Sequence, residues 1–239
     1  MKGIDVSSNQ HPANKPIDWF AVADAGYGFA IVKATQGVSY VNPWLAYDLD
    51  DARAAGLFVG AYHYWEPDQD AIVQAKNFTS SLIGQVLDLG VWLDWEPPEM
   101  APYSAQPLIG AFIAEAKEAR PGIGMYCDLS WRDQLKGENA LPGRLWLAAW
   151  GPEQPSGCIL WQNAGGVSVA GVPELVDTDI IVKSRSLNLP SSPPPRPSAA
   201  TVQSAVPVEP VEDEAPEPVP VPLADEASEE PADVPDPVS

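Results

Sequence analysis

Eight short apolar runs of strand type recur through the first 189 residues, and helical stretches separate only the first five of them. The runs are "KGIDVS", "YGFAIVKATQ", "LFVGAYHYW", "LGVWLDWE", "GIGMYCD", "RLWLAAW", "CILWQNAG" and "VDTDIIV". Between the early ones lie "PIDWFAVADAG", "NPWLAYDLDDARAAG", "DQDAIVQAKNFTSSLIG" and "AQPLIGAFIAEAKEA", with Pro16 and Pro107 expected in first turns, Asn42 as a cap and Gly26 and Gly56 as terminators. "SWRDQLKG" after the fifth run is a short helix at most. Strands alternating with helices require right-handed crossovers and hence a parallel sheet. Parallel strands are covered on both faces, which fits runs this continuously apolar. Eight strands favour closure into a barrel. Some of the last are expected to run antiparallel, because short connections cannot make a parallel crossover. The fold class is therefore α/β, a TIM-like barrel whose helices fall away in the last third.

Composition divides the chain at Pro190. Fourteen of the 27 prolines and eleven of the 33 acidic residues lie from there onward, with one basic residue, Arg196, and no aromatic. Such a segment cannot bury enough apolar surface to offset its ordering entropy, and is expected to be an extended, self-repelling chain of polyproline character. Residues 190–239 are thus read as a disordered acidic tail. It is a spacer or solubilising segment in the first reading and a docking segment for a partner in the second; no anchor motif names that partner. Residues 1–189 hold all nine tryptophans and are long enough for one core.

The same residues keep 22 acids against 12 bases. That balance argues against nucleic acid, whose phosphates need a basic face, and against adhesion to an anionic membrane. No apolar run approaches the ~20 residues of a membrane span. "MKGIDVSSNQ" shows no charged-then-apolar leader. The chain starts directly with what looks like a strand, so either export by another route or a leader absent from this sequence is expected. Cys127 and Cys158 are too few for a disulfide framework and have no ligand spacing around them; they are read as buried thiols, with a single disulfide left open.

The chemistry concentrates where "GVWL" runs into "DWEPP". Buried strands avoid unpaired charge. Residues i and i+2 share a face, so Asp94 and Glu96 project together at the C-terminal strand end, the rim where barrels of this kind hold their sites, while Trp95 points outward. Two such carboxylates cannot both ionise freely in a partly desolvated pocket, and the one that keeps its proton can serve as an acid near neutral pH. This is the pairing that glycosidic cleavage uses. Asp5 ends the first run at the same rim, and Asp177 and Asp179 lie at the start or middle of the last. Tyr62 and Tyr64 share one face of the third run, with His63 and Trp65 on the other. Tyr126, Trp150 and Trp161 fall near strand ends, and flat faces with polar tips suit sugar rings. Trp19, Trp92 and Trp146 are assigned to packing, and His63 to the core. There is no Ser-His-Asp order, phosphate loop or metal set.

The order and spacing of "GIDVSSNQ", "IDW", "FAIVKATQG" with "YVNP", "GLFVGAYHY", "VWLDWE", "MYCD", "LWLAAW", "WQ" and "VDTD" resemble the family 25 glycoside hydrolases, the lysozymes or N-acetylmuramidases, over about residues 2 to 185. The resemblance implies a (β/α)5(β)3 barrel and cleavage of the β-1,4 bond between N-acetylmuramic acid and N-acetylglucosamine. It implies Glu96 as the acid and Asp94 as its partner, holding the N-acetyl group or positioning water. Asp5 and Asp177 would be the other acids, with Lys33, Tyr62, Tyr126 and Trp150 at substrate-contacting positions. No cofactor or metal is called for, and a monomer acting on peptidoglycan glycan strands is expected. Two departures stand out: Gln36 where relatives often carry Glu, and Asp179 where Asn is more usual. A non-catalytic wall-binding module on a phage particle or cell surface is the alternative function, and a hydrolase of the same reaction type acting on chitin is a third. The resemblance implies a phage lysin held in the host cytoplasm before lysis or carried on the virion, with a bacterial enzyme exported by a non-classical route as the alternative.

Overall fold

A sheet closes on itself because its first strand has two partners. In the computed structural model, which describes residues 1–97, 100–137 and 141–189, β1 (Lys2–Val6) pairs in parallel with β2 (Phe29–Gln36) and antiparallel with β9 (Val176–Ile181). Parallel ladders then run from β2 through β4 (Phe58–Tyr64), β5 (Val91–Asp94), β6 (Gly124–Asp128) and β7 (Leu145–Ala148) to β8 (Leu160–Val167). The β8–β9 pair is antiparallel. The eight expected strands are all present. A ninth, β3 (Tyr40–Val41), folds back antiparallel on the end of β2 through a turn at Gly37, whose φ of +55° suits glycine.

The helices are α1 (Trp19–Asp24), α2 (Leu45–Ala54), α3 (Ala71–Ser81), α4 (Pro102–Ala119) and α5 (Leu129–Gly137). Their ends follow side-chain chemistry. Asp18 caps α1 through Oδ1, which accepts from Ala21 N (3.0 Å), so this helix starts after Pro16 rather than on it. Asp70 caps α3 by accepting from the backbone N–H groups of Ile72 and Val73 (both 2.9 Å). Asn42 acts one turn early: its Oδ1 accepts from Trp44 N (3.0 Å) and its Nδ2 donates to Lys33 O (2.7 Å), pinning the loop to β2. Gly56 ends α2 as expected, with φ +84°. Pro102 opens α4, which places Pro107 inside the helix and not in its first turn. The stretch after β6 is a full nine-residue helix, longer than its sequence suggests; Trp131 and Leu135, one turn apart, are its buried anchors. The crossover from β7 to β8 is parallel without any helix, its chain covering residues 149–159 instead.

Two apolar layers result. Inside the barrel, Phe29, Ile31, Phe58, Trp92, Trp146 and Leu160 pack together. Outside, Trp65, Trp95, Phe78, Phe112 and Trp131 fill the space between strands and helices. Trp92 lies so close to β6 that a Cβ on Gly124 would meet its ring at 2.3 Å. Arg144 closes the floor, its guanidinium 4.9 Å over the Trp92 ring and its Nη2 donating to Leu89 O (3.0 Å). His63 belongs to the outer layer, held by Thr35 (2.7 Å) and Gln74 (3.1 Å), and burial pushes its pKa down to about 4, which keeps the ring neutral. Cys127 and Cys158 are buried free thiols.

Candidate active site

At the C-terminal ends of the parallel strands, inward-facing side chains stop filling the barrel and enclose a cavity of about 360 Å³. Strand alternation selects them. Asp5 comes from β1, Lys33 from β2, Tyr62 and Tyr64 from β4, Asp94 from β5, Tyr126 from β6 and Asp177 from β9. Glu96 follows β5 by two residues and keeps the strand's alternation, because Trp95 N continues the ladder to Tyr126 O (3.0 Å). Trp150 projects from the loop after β7 and is 68% exposed, a flat face open to solvent.

Nine of the ten site residues expected from the sequence therefore converge. Trp161 does not. It lies in the outer layer, its indole Nε1 donating to Ala149 O (2.7 Å), because alternation along β8 turns Leu160 and Gln162 inward. Gln162 is the residue that sequence reasoning passed over. Its Oε1 accepts from Tyr126 Oη (3.0 Å) and Trp150 Nε1 (3.1 Å), and its Nε2 donates to Asp5 Oδ2 (3.0 Å). The signal lay in the "WQ" pair itself: if one faces the helices, the other faces the cavity. Trp146 also does more than pack, lining the cavity and donating its Nε1 to Asp179 Oδ1 (2.7 Å).

The two carboxyls of the D-x-E pair occupy different surroundings. Asp94 is buried, and its Oδ1 has no hydrogen-bond partner. Glu96 is exposed at the lip, where it also bounds a neighbouring cavity of about 370 Å³ formed with Pro97, Met100, Asp128 and Gln134. Burial, then the charges of Glu96 and Asp5, hold Asp94 well above the usual carboxylate range. Partial desolvation at the lip also raises Glu96, opposed by the nearby Tyr126 hydroxyl. Asp5 is pushed up to about 7 by burial and by Asp177, which sits directly opposite it in the β1–β9 register. So protons held near neutral pH belong to the cluster of neighbouring acids, not to one carboxyl in isolation.

Lys33 is the cation that faces this set. Its ammonium lies 4.5 Å over the Tyr64 ring and donates to Gln36 Oε1, while Gln36 Nε2 donates to Glu66. An amide at position 36 thus bridges cation and acid in one hydrogen-bonded row. Among the described residues, no group of three or more His, Cys, Asp or Glu has an arrangement that would hold a metal ion.

Chemically, the groove offers an exposed acid with a raised pKa, buried acids beneath it and aromatic faces beside it. That combination can deliver a proton to an ether oxygen and stabilise the positive charge left behind. Residues 4–172 match the family model of the glycosyl hydrolases family 25. The chain is similar to Lysozyme M1 of Streptomyces globisporus, with 31% identity over 74% of this chain and 66% of that protein. It is also similar to the autolytic lysozyme of Clostridium acetobutylicum, 34% identical over 40% of this chain and 28% of the relative. The chain thus spans at most about two thirds of these relatives. Among solved structures it resembles the bacterial lysozyme from Streptomyces coelicolor, with TM-score 0.67, 29% identity, and coverage of 79% of this chain and 96% of that one. The family 25 glycosyl hydrolase from Bacillus anthracis shares the fold, with TM-score 0.68 at 20% identity, covering 79% and 93% of the two chains.

Proposed function

The chain belongs to family 25 of the glycosyl hydrolases, and on that premise we propose that it is a muramidase cutting the β-1,4 bond between N-acetylmuramic acid and N-acetylglucosamine in peptidoglycan. The observation that carries this reading is the convergence of Asp5, Asp94, Glu96 and Asp177, from three strands and one strand end, on a single aromatic-lined groove.

Glu96 is the acid. Exposure supports this choice over Asp94, because Glu96 stands open at the lip where a glycosidic oxygen can approach while Asp94 is buried. It protonates the leaving oxygen as the sugar takes on oxocarbenium character. Asp94, below it, holds the substrate's N-acetyl group. Asp5 and Asp177 place negative charge beneath the developing cation. Tyr62, Tyr64 and Trp150 offer ring faces to the sugars, and Lys33 and Tyr126 supply polar contacts. Gln162 fixes the tilt of the Trp150 indole and the aim of Asp5 at once.

The described lining of the groove comes from one chain, which supports action as a monomer at the bacterial cell wall. For delivery the reading is a phage lysin, with non-classical export of a bacterial enzyme second; a lysin leaves cells intact during cytoplasmic expression until their membrane is permeabilised. Residues 190–239 lie outside the described residues and are proposed as a spacer, so that a chain ending at Leu189 keeps its activity on purified walls.

Glu96→Gln tests the assignment. It should fold normally and lose activity on purified walls by about 10²- to 10⁴-fold, the usual contribution of a general acid. Normal activity in this variant removes Glu96 from the role. A wild-type protein that sediments with walls but releases no reducing ends is a binding module instead.

A further inference from the structure

Asp179 has no part in the roles above, yet its carboxyl is fully buried directly behind them. In the β1–β9 register it stands opposite Gly3, while Asp5 stands opposite Asp177. Asp179 and Asp5 are therefore diagonal neighbours on the same inward face, with no side chain on Gly3 to separate them. The Oδ1 of Asp179 accepts from Trp146 Nε1 (2.7 Å); its Oδ2 has no donor. The carboxyl beside it on that face is that of Asp5, which of its charged neighbours bears on it most. Two ionised carboxylates so placed repel, and a buried acceptor without a donor is costly. One proton between them resolves both problems. Its location follows from the partners. Asp5 opens to the groove and already receives a donor, Gln162 Nε2 (3.0 Å), whose orientation is fixed because its Oε1 accepts from Tyr126 and Trp150.

We propose that Asp179 is a positioning acid: a neutral carboxyl whose O–H donates to Asp5, so that Asp5 is held between two donors and carries the charge of the pair into the groove. The catalytic consequence rests on the muramidase reading; the contact itself does not. Burial and the neighbouring Asp5 charge hold Asp179 well above the usual carboxylate range. The other titratable groups facing the pair are Asp177 on β9, Asp94 on β5, Glu96 just beyond it, Tyr62 on β4 and Tyr126 on β6. Lys33 on β2 bears instead on Asp94, Glu66 and Glu96. β7 and β8 contribute Trp146 and Gln162, which do not titrate.

The test uses the full chain and the variants Asp179→Asn and Asp179→Leu, with carboxyl NMR following Asp5 through its titration. An amide at 179 still donates to Asp5, so the Asp5 midpoint in the Asn variant should stay within about 0.3 pH unit of wild type, while Leu, lacking a donor, should raise it by about one unit. If Asp179 is ionised, Asn removes a negative charge and the Asp5 midpoint falls by about one unit or more, which overturns the proposal. The infrared difference between wild type and the Asn variant at pH 8 reads the same point directly. Loss of a protonated-carboxyl band is expected, and loss of an ionised-carboxylate band contradicts it. On peptidoglycan, Leu should lower kcat about tenfold with little change in KM, and Asn should restore most of it. The spectroscopic arms need no activity, so a failed muramidase reading leaves them decisive. If the Leu variant does not fold, the Asn measurements alone decide.

Discussion

Glu96 and Asp94 are separated by one residue and by a large difference in surroundings. Their raised pKa values give activity a definite pH sign. A general acid works only while protonated, so with Glu96 in the proposed role cleavage should fall as pH rises through its pKa, which lies above the ordinary glutamate value. In the proposed roles Asp5 acts as an anion, which gives the opposite limb near its value of about 7. A pH–rate profile on purified walls should show both, and Asp5→Asn should abolish the acid-side limb. The aromatic residues supply a second check at this scale. Trp150→Ala should raise KM several-fold by removing an exposed ring face, whereas Trp161→Phe should leave KM unaltered, since Trp161 packs outside the barrel; measured KM values separate the two. The D-x-E pair, Asp5 and the tyrosines were legible in the sequence because each ends an apolar run, where alternation fixes the facing side. Trp161 and Gln162 were not. The bulge register of β8 and the outward packing of a tryptophan are tertiary facts, and both faces of this strand are apolar enough to hide its phase.

All eight barrel strands could be read from the chain because buried parallel strands are continuously apolar and glycines or prolines punctuate them. The misreadings have local causes. The helix α5 exceeds its expected length because its sequence signal is weak, a buried stripe of only Trp131 and Leu135 amid charged residues. β3 is two residues long and has no pattern to detect. The β7–β8 connection defeats the expectation that a non-helical link implies an antiparallel pair; residues 149–159 are long enough to cross back over the sheet, and they carry Trp150 to the rim. Close approach of strands also yields a prediction. Gly124→Ala forces a methyl into the Trp92 ring and should destabilise the protein by about 1–3 kcal/mol. Urea unfolding should then show a lower midpoint with an unchanged slope.

The protein as a whole bears the cost of gathering acids in one place. Asp5, Asp94 and Asp179 have folded-state pKa values raised above the unfolded reference of 3.8, so the folded state holds protons that the unfolded chain releases as pH rises. Their sign is therefore destabilising above the unfolded pKa, and stability should fall between about pH 4 and pH 7. For Asp5, a rise from 3.8 to about 7 corresponds to at most about 4 kcal/mol. Thermal melts across this range should show Tm declining with pH, and Asp5→Asn should flatten the decline. A Tm that rises through the window contradicts the arrangement of buried protonated acids. The most direct test of the central claim is digestion of purified peptidoglycan and chitin side by side, with mass analysis of the fragments. Fragments from peptidoglycan that end in reducing N-acetylmuramic acid are expected, absent with Glu96→Gln. Cleavage confined to chitin, or intact glycan strands in both digests, would contradict that claim.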